Sequence, residues 1–419
     1  MPRAYRTVRD HLDDIVGYAR CVFEQAKATD PARLAELQFE IADRFEQMEG
    51  SLELARIASM PLPLDRLRKA FKLEKEEVRC LYLLLGLAVS NEVRTLANND
   101  GTGSIEVLDR LVYGSSPARD RFADHLANDG RLFGYGLTEF ADDNRSRFAR
   151  PVRVSDRVVD LAFGRDRAAS ELAGFGTLTI ARPGQLLIPD DARREVQSAL
   201  RRHTELGIGP VPVIRGVSGS GRRALVASVA NELGARMLIV HCGALPENLG
   251  AALTTIMREA ILAGTVIVLA DAEHLAADAT QGRRDRAAAI DAAFAHYSGP
   301  LAITMAKDAS PANLMQRRGA IVVDLPALTE AERNALWSRH VPADLAADVA
   351  ARYRVSGGHI ERASQAVKQR SDDPTLADVH AAVRSVVDDK LTTLGVRIEW
   401  KQSWADLVLP DDSYEELRE

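Results

Sequence analysis

A glycine-rich octapeptide is the part of the chain whose residue types and spacing point most directly to chemistry. It consists of Gly216, Val217, Ser218, Gly219, Ser220, Gly221, Arg222 and Arg223. The glycines fit the pattern G-x-x-x-x-G-K-[ST], in which backbone N–H groups surround phosphate, the lysine contacts the β- and γ-phosphates, and the hydroxyl holds Mg²⁺. Arg222 replaces the lysine and Arg223 replaces the hydroxyl residue. The segment therefore predicts a phosphate-binding loop that has lost a metal ligand.

Short apolar runs alternate with amphipathic helices on both sides of this loop. An apolar strand, Val211–Arg215, precedes the loop, and a helix, Arg223–Leu233, follows it. Near-continuous apolar strands that alternate with helices are typical of a parallel sheet covered on both faces. The pattern predicts an α/β domain with a five-stranded parallel sheet, and a helical region that begins at a capping box, Thr329–Glu332. The other predicted strands are Met237–Val240, Thr265–Ala270, Leu301–Met305 and Ile321–Leu325.

The N-terminal region predicts helices rather than alternating elements. Met1–Ser59 has the pattern of two or three amphipathic helices with mixed charge. In Leu62–Gly164, helices are followed by a hairpin pattern at Arg131–Phe140, which is consistent with a winged-helix-like unit. Its basic residues lie close to acidic ones, which favours a solvated or protein-contact face over a nucleic-acid interface. The basic residues are Arg66, Arg68, Lys69 and Lys72, and the acidic ones are Glu74, Glu76 and Glu77.

Composition limits the class of protein. The 419 residues leave room for roughly three domains of about 150 residues each. The net charge of −6 gives no general attraction to nucleic acid. Cys21, Cys80 and Cys242 are far apart and form no CxxC pair, so we expect buried thiols in a reducing compartment and no metal site. No apolar run reaches the ~18–20 residues of a membrane helix. We therefore expect a soluble, cytoplasmic protein without a membrane partner.

One short motif occurs twice in the chain. Leu186–Asp191 precedes a predicted helix, and the similar segment Leu407–Asp412 precedes a second helical start near the end of the sequence. The repeat predicts that Glu419 lies within the opening of a second, similar module. The alternative is that both copies are a common turn followed by a helix N-cap.

The phosphate loop and its surrounding strands resemble those of the AAA+ ATPases, from about Ala181 to Pro374. More narrowly, the chain resembles the first module of bacterial two-module AAA proteins with a winged-helix front end, a group that includes ATPases encoded beside contractile injection systems. Its tail, Trp400–Glu419, is similar to the linker that opens the second ring of valosin-containing-protein-like unfoldases. The resemblance implies a homo-oligomeric ring, hexameric in the full-length protein, that acts on a protein substrate or partner.

The resemblance also assigns roles to residues outside the loop. The second phosphate-site motif of the family, four apolar residues and then Asp-Glu, falls on Val266–Asp271. This places Ala270 where the family has its Mg²⁺-binding aspartate, and Asp271 where it has its catalytic glutamate. Further catalytic positions implied by the resemblance are Glu273, the polar sensor Thr304, and Arg317 or Arg318 as the arginine that reaches a neighbouring subunit. Further nucleotide contacts implied by it are Ile188, Gly357, Gly358 and His359.

The departures from the family pattern remove both protein ligands of Mg²⁺, at Arg223 and Ala270. Because phosphoryl transfer depends on charge placement around the γ-phosphate and the metal, we expect impaired hydrolysis. Arg222 can still bind phosphate, and Arg223 offers a cation in place of the metal. The leading hypothesis is a hydrolysis-deficient module that binds ATP or ADP, with or without Mg²⁺, or no nucleotide at all, and supports ring assembly.

Two other hypotheses stay open at this point. One is an active protein remodeller in which Arg222, Asp271 and Glu273 replace the usual groups. The other is a winged-helix nucleic-acid protein that uses the α/β body for assembly, which the acidic composition makes the weaker choice. The predicted domains are 1–60 (helical segment), 61–165 (winged-helix-like), 166–326 (AAA+ α/β domain), 327–390 (helical lid) and 391–419 (linker and start of a second module).

Overall fold

The chain divides into two compact units. The first contains Met1–Gly216 and Arg222–Leu325, and the second contains Val217–Gly221 together with the chain from Pro326 onward. The computed structural model describes residues 2–98, 101–114, 117, 119–141, 145–168, 170–180, 187–206, 209–276, 281–311, 314–370 and 374–391. The second copy of the repeated motif, and the predicted linker except for residue 391, lie outside the described residues.

The N-terminal part of the first unit is mainly helical, with one small antiparallel sheet. Its described helices are α1 Val8–Lys27, α2 Pro31–Ile57, α3 Pro63–Ala70, α4 Lys75–Val89, α5 Asn91–Ala97, α6 Ile105–Leu108, α7 Phe122–His125, α8 Arg131–Gly134 and α9 Asp156–Ala162. Its strands are β1 Gly103–Ser104, β2 Thr138–Phe140 and β3 Pro151–Val154, in the order β1-β3-β2.

One large apolar core joins these elements. It includes Ile15 of α1, Phe45 of α2, Leu83 of α4 and Val158 of α9. Helix α4 is apolar almost throughout because it is buried on nearly every side. Helices on both sides of residue 60 therefore contribute to one core, and the boundary proposed there from the sequence stays a prediction.

The hairpin predicted over Arg131–Phe140 is wrong in position. Residues Arg131–Gly134 form one helical turn, in which Leu132 is buried and Gly134 N–H donates to Gly130 O at 2.7 Å. The hairpin lies further on, where Thr138–Phe140 pairs with Pro151–Val154. The aromatic residues that suggested a strand at 131–140 pack equally well around a helical turn, which the short apolar pattern cannot distinguish.

The second part of the first unit is an α/β domain. Its helices are α10 Asp190–Leu206, α11 Arg222–Glu232, α12 Leu249–Ala263, α13 Glu273–Ala276 and α14 Gln281–Ala295. Its strands are β4 Gly176–Thr179, β5 Val211–Gly216, β6 Arg236–His241, β7 Thr265–Ala270, β8 Leu301–Ala306 and β9 Ala320–Asp324, in the order β4-β6-β7-β8-β5-β9.

The five predicted parallel strands are confirmed, and apolar clusters cover both faces of the sheet. The sixth strand, β4, pairs antiparallel with β6 at one edge. The sequence pattern misses β4 because this edge strand is short and only partly buried, so it lacks an apolar run.

Helix α12 connects the two parts of the first unit. Ile261 and Leu262 pack against the N-terminal core. Arg157 of α9 donates from Nε to Glu259 Oε1 at 3.1 Å, and Arg258 donates from Nη1 to Gly136 O at 3.2 Å. Arg157 and Glu259 are both buried, so this junction is a packed interface rather than a loose linker.

The second unit is helical in its described residues. Its helices are α15 Glu330–Trp337, α16 Ala343–Arg352, α17 Gly357–Arg370 and α18 Leu376–Leu391. The predicted capping box is confirmed: Thr329 and Glu332 bond to each other's backbone N–H at the start of α15. Arg333 is buried and donates to Leu328 O and Ala350 O, which ties α15 to α16.

Two further findings concern the described residues as a whole. No single helix among them is long and apolar enough to span a membrane, although α4 and α5 together reach that length and composition across a 107° bend. Cys21, Cys80 and Cys242 are buried free thiols, as predicted. Burial raises the pKa of each of these thiols.

Candidate phosphate-binding site

The glycine-rich segment follows a central strand of the sheet. Strand β5 lies between β8 and β9, ends at Gly216, and leads through the loop into α11. After β5 the chain continues to β6 on one side of the sheet, whereas β9 lies on the other side. In open α/β sheets, ligands bind beyond the carboxyl ends of strands where the connections diverge in this way. The N-terminus of a helix at such a point attracts anions.

The loop itself, Val217–Gly221, has the backbone of a tight turn. Gly219 has a φ of 77° and Gly221 a φ of 93°. Positive φ values favour glycine, because glycine has no Cβ to clash with the backbone. Ser220 N–H donates to Val217 O at 3.0 Å. The hydroxyl oxygen of Ser220 is buried and has no hydrogen-bond partner among the described residues.

Residues at the start of α17 hold two carbonyls of this loop. Ser356 donates from Oγ to Ser218 O at 2.7 Å, and Gly358 N–H donates to Gly219 O at 2.8 Å. Ser356 Oγ also lies 2.6 Å from His359 Nδ1. The contact is so close that a Cβ on Gly219 would collide with Ser356 Oγ. The structure thus brings the predicted residues Gly219, Gly358 and His359 together.

Sequence reasoning missed Ser356. The signal available was its position directly before Gly357-Gly358, since serine commonly bonds backbone groups where a helix begins. Arg362, one turn into the same helix, donates from Nε to Gly358 O at 3.3 Å.

In the first unit, Arg222 forms an ion pair with Asp271. Arg222 Nη2 lies 3.4 Å from Asp271 Oδ1, and the Arg222 side chain is only 12% exposed. Its other terminal nitrogen, Nη1, is buried without a partner in the described part of the chain. Asp271 has a positive φ of 55°, an uncommon conformation for a residue other than glycine. Arg223, the next residue, is exposed.

Asp271, Glu273 and Thr304 lie together where β7 and β8 end. Asp271 N–H donates to Thr304 Oγ1 at 3.2 Å, and Ala272 N–H donates to Thr304 O at 2.9 Å. Glu273 accepts a hydrogen bond from Ala306 N–H at 3.0 Å. These bonds anchor the turn after β7 to the end of β8. Ala270 is buried and has no oxygen ligand to offer.

The two candidate arginines before β9 differ in their surroundings. Arg318 donates from Nη1 to Tyr297 O at 2.7 Å and also contacts His203, so its guanidinium is held within the domain. Burial lowers the pKa of Arg318, and burial with the nearby Arg318 charge lowers that of His203 to about 4. His203 is therefore neutral and donates from Nε2 to Pro210 O. Arg317 is 62% exposed and contacts Asp291.

The remaining predicted site residue, Ile188, lies just before α10. It is half-buried and packs against the apolar cluster that covers one face of the sheet. Within the described residues, no group of three or more His, Cys, Asp or Glu side chains is arranged to hold a metal ion.

Comparison with known proteins concerns the N-terminal region. Residues 3–176 match the family described as winged helix domain, variant. This region is a winged-helix domain. The winged-helix prediction is thus confirmed, and the match includes α1 and α2, which the sequence pattern placed in a separate segment. No curated protein matches the chain significantly.

The winged-helix domain does not present a basic helix before its hairpin. The residues before strand β2 form two short helices, α7 and α8, each of four residues. Their charges are balanced, since Arg119, Arg121 and Arg131 alternate with Asp120, Asp124 and Asp129. Arg121 and Arg131 are also neutralised by Glu74. A continuous basic helix, the element that reads a DNA major groove in related motifs, is therefore missing from the described residues of this stretch.

Proposed function

We propose that this chain is an AAA+-type module that binds the phosphates of ATP or ADP, hydrolyses them poorly, and supports a homo-oligomeric, cytoplasmic protein-remodelling ring. The winged-helix domain would recruit the protein partner. The observation that carries the proposal is the glycine loop after the central strand β5, followed directly by Arg222, which is paired with Asp271.

Two features support phosphate binding. The loop leads into the N-terminus of α11, where free N–H groups favour an anion. Arg222 Nη1, in the first unit, is a buried donor without a partner among the described residues. A buried group without a hydrogen bond costs roughly 1–3 kcal/mol, and phosphate oxygens would remove that cost. Guanidinium also forms forked hydrogen bonds with phosphate.

The residues do not fit a bound Mg²⁺. Its usual protein ligands in this family would be a hydroxyl and a carboxylate, and the chain has Arg223 and Ala270 in those positions. Asp271 already pairs with Arg222, and Glu273 accepts from a backbone N–H of β8. Since both acids are already engaged, neither is available to activate water.

The test is a calorimetric titration with ATP and with ADP, once with Mg²⁺ and once with EDTA, with phosphate release measured in the same samples. We expect nucleotide binding that EDTA does not change, and no sustained phosphate release. Arg222→Gln should weaken binding by about 10- to 100-fold, because it removes a charged hydrogen-bond donor.

The matched control is Arg352→Gln, which removes an exposed arginine of α16 that pairs only with Asp348 among the described contacts. This variant should bind nucleotide like the unaltered chain. Binding that requires Mg²⁺ and leads to turnover would contradict the proposal and indicate an active motor. Equal loss of binding in both variants would show that Arg222 has no specific role.

A further inference from the structure

Ser356 stands where a serine usually caps a helix, but its hydroxyl is used elsewhere. It directly precedes α17, and its carbonyl accepts hydrogen bonds from His359 N–H and Ile360 N–H, as an N-cap carbonyl does. A capping serine normally also accepts, at Oγ, a hydrogen bond from a backbone N–H of the first turn. The described bonds of Ser356 Oγ instead join it to Ser218 O at 2.7 Å and to His359 Nδ1 at 2.6 Å.

The two contacts of Ser356 Oγ fix the direction of both hydrogen bonds. A serine hydroxyl carries one proton and a carbonyl oxygen can only accept, so that proton is used in the bond to Ser218 O. The contact with His359 must then be a bond from Nδ1–H to Ser356 Oγ. The side chains form a relay in which His359 donates to Ser356 and Ser356 donates to the glycine loop. Each bond in such a chain polarises and strengthens the next.

This relay and a backbone bond hold two loop carbonyls on the side that faces α17. Gly358 N–H donates to Gly219 O at 2.8 Å, next to the bond from Ser356 to Ser218 O. In a trans peptide the N–H points opposite to the C=O. Ser218 O and the Gly219 N–H belong to one such peptide, so this N–H points away from α17. The loop thereby keeps partial negative charge on one side and turns an N–H donor to the other.

The loop and the start of α17 are close enough to require glycine on both sides. A Cβ on Gly358 would press against Gly219 O, and Gly219 itself has a positive φ. These residues and Ser356 all belong to the second unit. The fit between loop and helix is therefore a packed contact within one compact unit.

The same loop contains a polar group that the protein leaves unpaired. Ser220 Oγ is buried and has no hydrogen-bond partner in the described part of the chain. A buried hydroxyl without an acceptor is costly, and an oxygen of a bound phosphate would supply the acceptor. The loop is thus held at its carbonyls and incomplete at a donor, as expected of an anion site.

We propose that Ser356, oriented by His359, is a positioning residue for the glycine loop. It holds the loop carbonyls against α17, and so leaves loop N–H groups free to face a bound phosphate. The proposal rests on the proposed function, because it explains how the loop of that site keeps its shape. It gives His359 a role other than the direct nucleotide contact that the family resemblance implies. Contacts that hold a site in its binding shape reduce the entropy lost on binding.

The first measurement is hydrogen–deuterium exchange of the full chain without nucleotide. In Ser356→Ala the amide protons of Ser220 and Gly358 should exchange about tenfold faster, because their bonds depend on the loop conformation. Calorimetric titration of the same variant with ATP should show about tenfold weaker binding. His359→Leu should change both quantities in the same direction by about threefold, since it removes only the outer bond of the relay.

Ser356→Asp separates loop positioning from helix capping. Aspartate is a good N-cap residue, so it preserves the start of α17, but it cannot donate a hydrogen bond to Ser218 O. We expect its amide exchange to resemble that of Ser356→Ala in the chain without nucleotide, where repulsion of phosphate plays no part. The matched control is Ser338→Ala, which removes an exposed hydroxyl at the end of α15 that bonds to Asn334. It should match the unaltered chain in both measurements.

Several results would overturn the proposal. These are unchanged exchange in Ser356→Ala, ordinary exchange in Ser356→Asp, or equal effects of Ser338→Ala. Faster exchange with unchanged ATP affinity would also overturn it, because the loop would then bind phosphate without this support. If the unaltered chain binds neither ATP nor ADP, the proposed function fails, whereas the exchange measurements still decide whether Ser356 positions the loop.

Discussion

The two terminal nitrogens of Arg222 have different surroundings. Its Nη2 holds Asp271, while its Nη1 stays buried and without a described partner. A guanidinium presents several donors in a fixed plane, whereas an ammonium is a single compact charge. If the loop binds phosphate as proposed, Arg222 can contact it through Nη1 while Nη2 stays paired with Asp271.

Histidine burial makes the winged-helix domain sensitive to acid. His11 is 1% exposed, and burial, together with the nearby Arg68 charge, lowers its pKa from 6.5 to about 4. The folded chain keeps His11 neutral, while the unfolded chain takes up a proton at the ordinary pKa. The stability of the folded state that depends on a neutral His11 is fully present above pH 6.5 and is lost as the pH falls towards 4. This shift corresponds to about 3 kcal/mol of stability.

Urea unfolding at neutral pH and near pH 4.5 measures this effect. His11→Gln should reduce the pH dependence without abolishing it, because glutamine does not titrate whereas His203 keeps its own lowered pKa. The matched variant His296→Gln replaces an exposed histidine at the end of α14 and should keep the pH dependence of the unaltered chain. An unchanged pH dependence in His11→Gln would show that other groups cause the acid sensitivity.

At the scale of the elements, helix α12 forms the contacts between the winged-helix domain and the α/β domain. Glu259 accepts hydrogen bonds from Arg157 and from Arg258, and all three side chains are largely buried. Glu259→Gln would leave these arginines without their shared acid, so we expect a loss of about 3 kcal/mol in the free energy of unfolding. Chemical denaturation followed by helical circular dichroism gives the measurement.

The control for Glu259 is an exposed ion pair on a single helix. Asp348→Asn breaks the pair with Arg352 on α16 and should change stability by about 0.5 kcal/mol or less. If the two substitutions cost the same, the junction would be no more important than a surface pair.

The sequence predicts elements better than it predicts side-chain partners. Strands β5 to β9 are identifiable because both faces are covered and their apolar runs are continuous. The edge strand β4 and the helical turn α8 are missed, since neither has a distinctive period. The pairing of Arg222 with Asp271, and of Ser356 with Ser218, joins residues far apart in sequence. Such contacts depend on the completed fold, which local patterns do not encode.

At the scale of the whole molecule, substitutions of Arg317 and Arg318 distinguish effects on subunit assembly from effects on the stability of the fold. Arg318→Ala should cost about 2–4 kcal/mol, because it leaves buried carbonyls and His203 without their donor. Arg317→Ala should leave thermal unfolding nearly unchanged, since that side chain is mostly exposed. If the chain forms a ring as proposed, Arg317→Ala should reduce nucleotide-dependent assembly in light scattering.

These two neighbouring residues serve as controls for each other. Assembly that is insensitive to Arg317→Ala would remove this residue as a subunit contact. Loss of stability in Arg317→Ala, with a stable Arg318→Ala, would contradict the assignment of the buried and exposed roles.

The order of strands in the sheet has a consequence for how the chain is made. Strand β5 pairs with β8 and β9, through Val213 with Ile303 and Val211 with Ala320. A ribosome that has just produced β5 therefore has neither of its partners available. The helices and strands of the winged-helix domain all precede β5 in the chain, whereas β5 must wait for β8 and β9. Contacts between such distant segments form slowly, so β5 is exposed to mispairing for longest.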